Sequence, residues 1–167
     1  MYASNELASM NATARTSGAV GADPVTVRYL KTFLDGGELV LDFGAGPSRR
    51  HANQIEGATG AIVEAFDTGA NWRNEYHVRQ IEAGRYDVAY ASNVLNVQPH
   101  SAGIVHVLTS MRRAVHSAGV IFFNFPKSPR KFSGFDDGDL IALCGRLGMV
   151  AQRVPGHAGL FMAMIGG

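Results

Sequence analysis

A short apolar segment that ends in two closely spaced glycines constrains the fold of this chain more than any other feature. Leu39–Phe43 is apolar apart from one carboxylate, Asp42, and a turn over residues 44–46 follows at once. An apolar run of this length beside glycines predicts a buried strand of a parallel sheet. The glycines let the backbone turn sharply and approach a ligand, because they carry no Cβ. With a short helix over residues 48–56, the segment predicts a nucleotide-type site at the carboxyl edge of the sheet.

The residues of this turn argue against a dinucleotide or a bound triphosphate. The dinucleotide fingerprint has a third glycine three residues after the second, and Arg49 stands there. A phosphate loop needs Gly-Lys-Ser or Gly-Lys-Thr, which the sequence lacks. The polar residue of the apolar run before this turn is Asp42, two residues before the first glycine. A buried carboxylate at this position suits a ligand that carries an ammonium group. The alternative is an ordinary strand, turn and helix that bind no ligand.

Length and charge exclude several classes of protein. With 167 residues, of which 17% are charged, the chain fits one domain with a substantial core. The formal net charge of +1 does not indicate a nucleic acid partner or a membrane surface. The single cysteine, Cys144, excludes an internal disulfide and fits a reducing compartment, so we expect a cytoplasmic protein. No apolar run approaches the ~20 residues of a membrane span, and no secretory signal is visible at the start.

Residues 1–22 are rich in small and polar side chains, and two predictions for them stay open. They form either a flexible, frayed terminus or a lid that folds over the ligand. In the second case Asn11, Thr13 and Arg15 are the expected polar contacts. Residues 23–167 are predicted to form a single domain.

Apolar periodicity predicts alternating helices and strands through that domain. The first helix is expected to begin at Asp23-Pro24, with Asp23 as N-cap and the proline at the first helical position. Later helices are predicted at residues 101–116 and 136–147. Further strands are predicted at residues 61–63, 76–78, 87–91, 119–125, 149–154 and 160–165.

Two acidic residues near the end of the second predicted strand are candidates for binding a ribose. In a doubly wound fold, an acid ~20 residues after the glycine motif accepts hydrogen bonds from ribose hydroxyls. Glu64 and Asp67 both fit this spacing. We favour Asp67, because the dipeptide Phe66-Asp67 followed by Thr-Gly is more typical of a strand exit. For either acid the alternative is a solvated loop residue.

Ser92 and Asn93 follow the predicted strand over residues 87–91. The carboxyl ends of parallel strands meet at one edge of the sheet, so both residues should lie beside the glycine turn. After the strand over residues 119–125, Lys127 and Arg130 belong to a small basic loop at the same edge. That loop is either solvated or contacts an anionic substrate. No His, Cys, Asp or Glu cluster has metal-ligand spacing, so no metal site is predicted.

The segment Val-Leu-Asp-Phe-Gly-Ala-Gly, residues 40–46, resembles motif I of the class I S-adenosylmethionine-dependent methyltransferases. The resemblance implies a three-layer, doubly wound Rossmann-like α/β fold, with a mostly parallel sheet and an antiparallel last strand. More specifically, the chain resembles small methyltransferase-like proteins found in phages and beside DNA phosphorothioation genes. The matching segments are residues 13–14, 40–46, 65–67 and 93–97. Phe43 replaces a tyrosine of that pattern, and Thr68 replaces a proline.

The resemblance implies S-adenosylmethionine as the cofactor and assigns roles by position. Asp42 and the turn of Gly44, Ala45 and Gly46 would approach its methionine part, while Asp67 would hold its ribose. Ser92 and Asn93 would border the methyl group. Methyl transfer is an in-line displacement that depends mostly on alignment and desolvation, so a strong general base is not required.

Asn93 is the best candidate for orienting an acceptor, and His100 is a weaker candidate for a catalytic base. A DNA amino-methyltransferase would carry Asp-Pro-Pro-Tyr or Asn-Pro-Pro-Tyr where this chain has Ser-Asn-Val-Leu. The acceptor therefore stays open, as a small molecule or a component of nucleic acid. A second subunit could complete the site in a homo-oligomer. The main alternative is a non-catalytic module that binds the cofactor or a partner on the same fold, and an enzyme that degrades the cofactor is a third.

Overall fold

The computed structural model describes residues 23–46, 48–67, 75–127, 132 and 134–166, and residues 75–78 as backbone only. Predictions for residues 1–22, Thr68 and Arg130 therefore lie outside the described residues. The elements in chain order are α1 (Val25–Phe33), β1 (Leu39–Phe43), α2 (Arg50–Thr59), β2 (Ile62–Phe66), α3 (Glu75–Ala83), β3 (Tyr86–Ala91), a 3-10 turn (Leu95–Val97), α4 (Ser101–Ala114), β4 (Val115–Asn124), α5 (Asp137–Arg146), β5 (Met149–Arg153) and β6 (Leu160–Ile165).

The described strands form one six-stranded sheet in the order β2-β1-β3-β4-β6-β5. β1 is parallel to both β2 and β3, and β3 is parallel to β4. β6 is antiparallel to both of its neighbours, β4 and β5. The structure thus confirms the predicted α/β fold with a mostly parallel sheet and an antiparallel last strand.

Helices cover both faces of the sheet, because alternate side chains of each strand point to opposite faces. Leu41 and Phe123 belong to one core cluster, which they form with buried residues of α3, α4 and α5. Val40 and Phe122 belong to the other cluster, with residues of α1 and α2. This arrangement is the three-layer architecture that the sequence predicted, and it leaves the carboxyl ends of β1 to β4 along one edge.

Helix α5 shows how local sequence defines an element here. Asp136 and Asp139 form a capping box, in which the Asp139 N–H donates to Asp136 Oδ1 at 2.8 Å and the Asp136 N–H donates to Asp139 Oδ2 at 3.0 Å. Cys144 lies on the buried side of this helix, and burial raises the pKa of its thiol to about 11. The single cysteine is therefore a core residue that stays protonated at neutral pH.

The strand predicted over residues 76–78 is wrong, because these residues lie inside α3. Three residues with strand propensity are too few to establish a period of two. Val78 and Ile81 are three residues apart, which is helical spacing, and Ile81 is buried in the core. Packing of the helix therefore overrides the local preference.

The first helix begins at Val25, with Pro24 rather than Asp23 at the N-cap position. The Asp23 carboxylate instead accepts hydrogen bonds from Lys31 Nζ at 2.6 Å and from Gln54 Nε2 at 2.9 Å. Its predicted capping role is wrong because these partners, which lie along α1 and on α2, take the carboxylate. Asp23 thereby joins the two helices that cover the sheet beside the glycine turn.

Candidate ligand-binding site

The glycine turn after β1 is bound to the end of β2. The N–H groups of Gly44 and Ala45 both donate to the carbonyl oxygen of Phe66, at 2.8 and 3.1 Å. Gly44 has a φ of +87°, and a Cβ at this position would lie 2.5 Å from Cγ2 of Val94. The turn therefore requires glycine there, both for its backbone conformation and for close packing against the segment after β3. At Gly46, which has a φ of +71°, a Cβ would meet no described atom within 4 Å.

Asp67 lies directly after β2 and contacts the same turn. Its Oδ2 accepts a hydrogen bond from the N–H of Gly46 at 2.5 Å, and the residue is buried. Glu64, the alternative ribose ligand, is the central residue of β2, where it pairs with Leu41 of β1. Its Oε2 accepts a hydrogen bond from the Tyr86 hydroxyl at 2.6 Å. Of the two candidate acids, only Asp67 is located at the carboxyl edge beside the glycines.

Asp42 is a buried carboxylate directly below the glycine turn. It is 2% exposed and lies opposite Tyr90 in the register of β1 and β3. Burial is the main cause that raises its pKa to about 7; the Tyr90 hydroxyl and Arg49 lower it, and the Asp67 carboxylate raises it. The Tyr90 hydroxyl is thus close enough to the Asp42 carboxylate to lower its pKa as a donor, but their geometry is outside that of a regular hydrogen bond. Neither Asp42 Oδ2 nor the Tyr90 hydroxyl has a regular hydrogen bond to any described residue. Such buried polar atoms normally have partners, so this pair marks a point where a ligand group can bind.

Arg49 was not predicted as part of the site, and it supplies positive charge beside these acids. Its Nη2 donates to the carbonyl oxygen of Val63 at 2.7 Å and to Glu56 Oε1 at 3.2 Å. Glu56 Oε1 also accepts the N–H of Val63 at 3.0 Å. These bonds fix the start of α2 against β2, and the guanidinium charge favours the ionised form of Asp42. The sequence signal was its position three residues after Gly46, where a dinucleotide site has its third glycine.

Asn93 and Asn124 join the carboxyl ends of β3 and β4. The Asn93 N–H donates to Asn124 Oδ1 at 2.6 Å, and Asn124 Nδ2 donates to Asn93 Oδ1 at 2.6 Å. Asn93 was predicted at this edge, whereas Asn124 was missed. The available signal was that Asn124 is a polar residue at the end of the apolar run Val-Ile-Phe-Phe. Ser92 and Asn93 stand in the equivalent place at the end of β3. Ser92 is adjacent, and its buried Oγ has no hydrogen-bond partner among the described residues.

His100 precedes α4 and caps that helix. Its Nδ1 accepts the N–H of Gly103 at 3.2 Å, which requires the neutral ring to carry its proton on Nε2. A ring in this state has no second lone pair with which to take a proton. The role of His100 as a catalytic base stays a prediction, and in this structure its Nδ1 is used to cap α4.

Lys127 is exposed just after β4, and it is the described member of the predicted basic loop. Across the described ranges, no group of three His, Cys, Asp or Glu side chains could hold a metal ion. Within the same part of the chain, no helix has the length and apolar character needed to cross a membrane.

Comparison with known proteins gives matches in structure alone. No protein-family model matches the sequence, and the comparison with curated proteins gives no match. Burkholderia thailandensis 1,6-didemethyltoxoflavin-N1-methyltransferase, solved with 1,6-didemethyltoxoflavin and S-adenosylhomocysteine, has a TM-score of 0.64 at 20% identity, over 100% of this chain and 92% of that one. The sugar N-methyltransferase KedS8 from Streptoalloteichus has a TM-score of 0.63 at 12% identity, over 94% of this chain and 92% of that one. DhpI, solved as a complex with SAH, has a TM-score of 0.63 at 16% identity, over 96% of this chain and 95% of that one.

The chain therefore has the Rossmann-like fold of the class I S-adenosylmethionine-dependent methyltransferases. The identities are low, so this likeness concerns the fold and not the reaction. The closer resemblance to phage and phosphorothioation-associated proteins has no support among these structures and stays a prediction.

Proposed function

We propose that this protein binds S-adenosylmethionine at the carboxyl edge of its sheet and transfers the methyl group to an acceptor. The observation that carries the proposal is the position of two carboxylates at one glycine turn: Asp42 two residues before it and Asp67 bonded to the N–H of Gly46. S-adenosylmethionine has an ammonium group, a sulfonium cation and a ribose diol. Carboxylates are suitable partners for all three groups, and a glycine turn lets the ligand approach the backbone.

The residues at this edge fit the cofactor in a specific way. Asp42 Oδ2, which forms no regular hydrogen bond to a described residue, would attract the ammonium group. The positive charge of Arg49 lowers the pKa of that carboxyl and so favours its ionised form. Asp67 would accept a ribose hydroxyl while it retains the N–H of Gly46, since a carboxylate has about four lone-pair positions. Ser92 and Asn93 would border the reacting methyl group at the ends of the neighbouring strands.

When bound, the cofactor supplies an electrophilic methyl group, which forms a bond to the acceptor atom as its bond to sulfur breaks and sulfur keeps the electron pair. The protein contributes alignment and exclusion of water, which can provide most of the rate enhancement of such a displacement. Asn93 orients the acceptor in this scheme. The proton of the acceptor atom leaves to solvent, because His100 uses Nδ1 to cap α4.

The acceptor is proposed to be a small molecule rather than nucleic acid. Two of the similar structures are N-methyltransferases of small molecules, one of 1,6-didemethyltoxoflavin and one of a sugar. The formal net charge of +1 provides no field that would attract a polyanion. Lys127 and Arg130 are retained as proposed contacts for an anionic group on that substrate. A phage origin, a cytoplasmic location and a homo-oligomer stay predictions.

A non-catalytic module is the second candidate. It is favoured by the internal use of the two predicted catalytic groups, since Asn93 is bonded to Asn124 and His100 caps a helix. Such a protein would bind the cofactor or a partner without turnover.

Transfer of radiolabelled methyl groups from S-adenosylmethionine separates the two candidates. We expect label to enter a pool of small heteroaromatic and amino-sugar compounds, to stay out of DNA and RNA, and to disappear with Asp67→Ala. Label that enters nucleic acid would overturn the proposed acceptor class. Binding of the cofactor without transfer to any compound would favour the non-catalytic module.

A further inference from the structure

The orientation of the Asn93 side chain follows from a backbone group and is not arbitrary. The amide oxygen and nitrogen of an asparagine are assigned from their hydrogen bonds, and a backbone N–H can only donate. Because the N–H of Asn93 points to the Asn124 amide at 2.6 Å, the atom of Asn124 that receives it must be Oδ1. Asn124 therefore directs its Nδ2 toward Asn93.

This donor in turn defines Asn93. Asn124 Nδ2 lies 2.6 Å from the Asn93 amide, so Asn93 must present Oδ1 to it. The other end of the Asn93 amide, the Nδ2 group, points away from the pair. No described residue accepts a hydrogen bond from it. Asn93 thus directs its Oδ1 at Asn124 and its Nδ2 donors away from the pair, toward anything that binds at the end of β3.

The pair is rigid enough to impose this polarity on a ligand. Asn124 is 5% exposed, and its side chain makes both bonds of the pair. Asn93 has a φ of +57°, the only positive value at a non-glycine residue among those described. Left-handed backbone at such a residue costs free energy and persists where the surroundings hold it, often at functional sites. The adjacent Ser92 Oγ is buried without a described partner, so the same place has a second polar atom for a ligand.

We propose that Asn93 selects methyl acceptors that present a hydrogen-bond acceptor, such as a ring nitrogen or a carbonyl oxygen, beside the atom that is methylated. This inference rests on the proposed function, because it concerns the acceptor half of that site. An exocyclic amino group needs a hydrogen-bond acceptor on the protein, and it would meet the Nδ2 donors of Asn93, since Oδ1 is turned toward Asn124. Neutral heteroaromatic and lactam-like compounds are the class that fits.

Two substitutions reverse the polarity of the outward group while they keep the pair. In Asn124→Asp, the carboxylate still accepts the Asn93 N–H, and its second oxygen forces Asn93 to turn Nδ2 inward and Oδ1 outward. In Asn93→Asp, one carboxylate oxygen accepts Asn124 Nδ2 and the other faces outward. Asn53→Asp on the exposed side of α2 is the matched control, since it makes the same chemical change away from the site.

The test uses side-chain amide NMR with pyridine, an acceptor probe, and pyrrole, a donor probe of similar size. For the wild-type protein and Asn53→Asp, we expect the amide protons of Asn124 to exchange slowly with solvent and those of Asn93 to exchange fast. Pyridine should shift the Asn93 Nδ2 signal and bind about fivefold more tightly than pyrrole, as expected for one net hydrogen bond. In Asn93→Asp and Asn124→Asp, binding is followed through the backbone signals of residues 92–94. Both variants should bind pyrrole more tightly than pyridine.

Slow exchange at Asn93 instead of Asn124, equal binding of the probes, or no shift with either probe in the folded wild type would overturn the inference. Retention of the pyridine preference in whichever site variant folds would also overturn it. Titration of the same samples with S-adenosylhomocysteine distinguishes a failure of this inference from a failure of the proposed function. Absence of that binding contradicts the cofactor site, whereas binding together with a wrong probe preference contradicts only the role of Asn93.

Discussion

The carboxylate of Asp67 accepts the backbone N–H of Gly46 at 2.5 Å, although the two residues are 21 positions apart in the chain. This bond connects the end of β2 to the turn after β1. A ligand that binds the carboxylate therefore also affects the turn, and a ligand that approaches the turn meets a negative charge. The site is formed by the ends of two strands, which lie side by side because β1 and β2 are parallel.

We expect Asp67→Ala to lose more affinity for S-adenosylhomocysteine than Asp67→Asn. Alanine removes both the charge and the acceptor for Gly46, whereas asparagine keeps an oxygen that can accept the N–H. A loss of about tenfold or more is expected for alanine, in the range of a charge-assisted hydrogen bond. Calorimetric titration measures both constants. Asp35→Ala, an exposed acid before the amino end of β1, is the control and should bind as the wild type does. Equal losses in the two Asp67 variants would show that the bond to Gly46 does not matter for binding.

Gly44→Ala should destabilise the protein by roughly 1–3 kcal/mol, the usual cost of a forced left-handed residue. The new Cβ would also lie 2.5 Å from Cγ2 of Val94, so the segment after β3 would have to move. Gly57→Ala is the matched control, because Gly57 is inside α2 and a Cβ there meets nothing within 4 Å. That variant should be as stable as the wild type or more stable, since alanine favours helix. Urea unfolding of both variants checks the difference, and equal midpoints would contradict the described turn.

Binding of S-adenosylhomocysteine should weaken as the pH falls below about 7, the pKa of the Asp42 carboxyl. The ammonium group needs the ionised carboxylate, so binding below that pH must release a proton, and affinity falls by up to about tenfold per pH unit. The groups that act on Asp42 are Tyr90, Asp67 and Arg49. Asp42→Asn should bind weakly and with no such slope. Calorimetric titrations at several pH values measure how the affinity depends on pH. The same dependence in the wild type and in Asp42→Asn would show that a group other than Asp42 causes it.

The same carboxyl makes the stability of the ligand-free protein depend on pH. Folding raises the pKa of Asp42 from 3.8 to about 7, mainly through burial. Between these values the folded state keeps a proton that the unfolded state releases. The free energy of unfolding therefore falls as the pH rises toward about 7, by at most roughly 1.4 kcal/mol per pH unit. Asp42→Asn removes this term, so its stability relative to the wild type should increase over that range. Urea unfolding at each pH tests this, and a constant difference would contradict the buried, ionisable state of Asp42.

Much of the fold could be predicted because its signals are local. The apolar run of β1, the glycines after it and the alternation of later segments each lie within a few residues. Asp67 could be favoured over Glu64 because a strand exit is also a local pattern, and the structure has Asp67 at the sheet edge with Glu64 bonded to Tyr86. Its role with a ribose remains a prediction.

The parts that could not be predicted depend on partners far along the chain. Asp23 has the pattern of a helix cap, but Lys31 and Gln54 take its carboxylate. The position of Asn124 at the end of an apolar run is a local signal, but its bond to Asn93 depends on the pairing of β3 with β4. Such contacts form when strands pair, and no spacing in the sequence encodes them directly.

Calorimetric titration of the wild-type protein and of Asp42→Asn/Asp67→Ala with S-adenosylhomocysteine tests the central claim most directly. The account predicts micromolar binding by the wild type, about −8 kcal/mol, and no measurable binding by the folded double variant. Folded wild-type protein that binds neither S-adenosylhomocysteine nor S-adenosylmethionine, or a double variant that binds as tightly as the wild type, would contradict a cofactor site at this edge of the sheet.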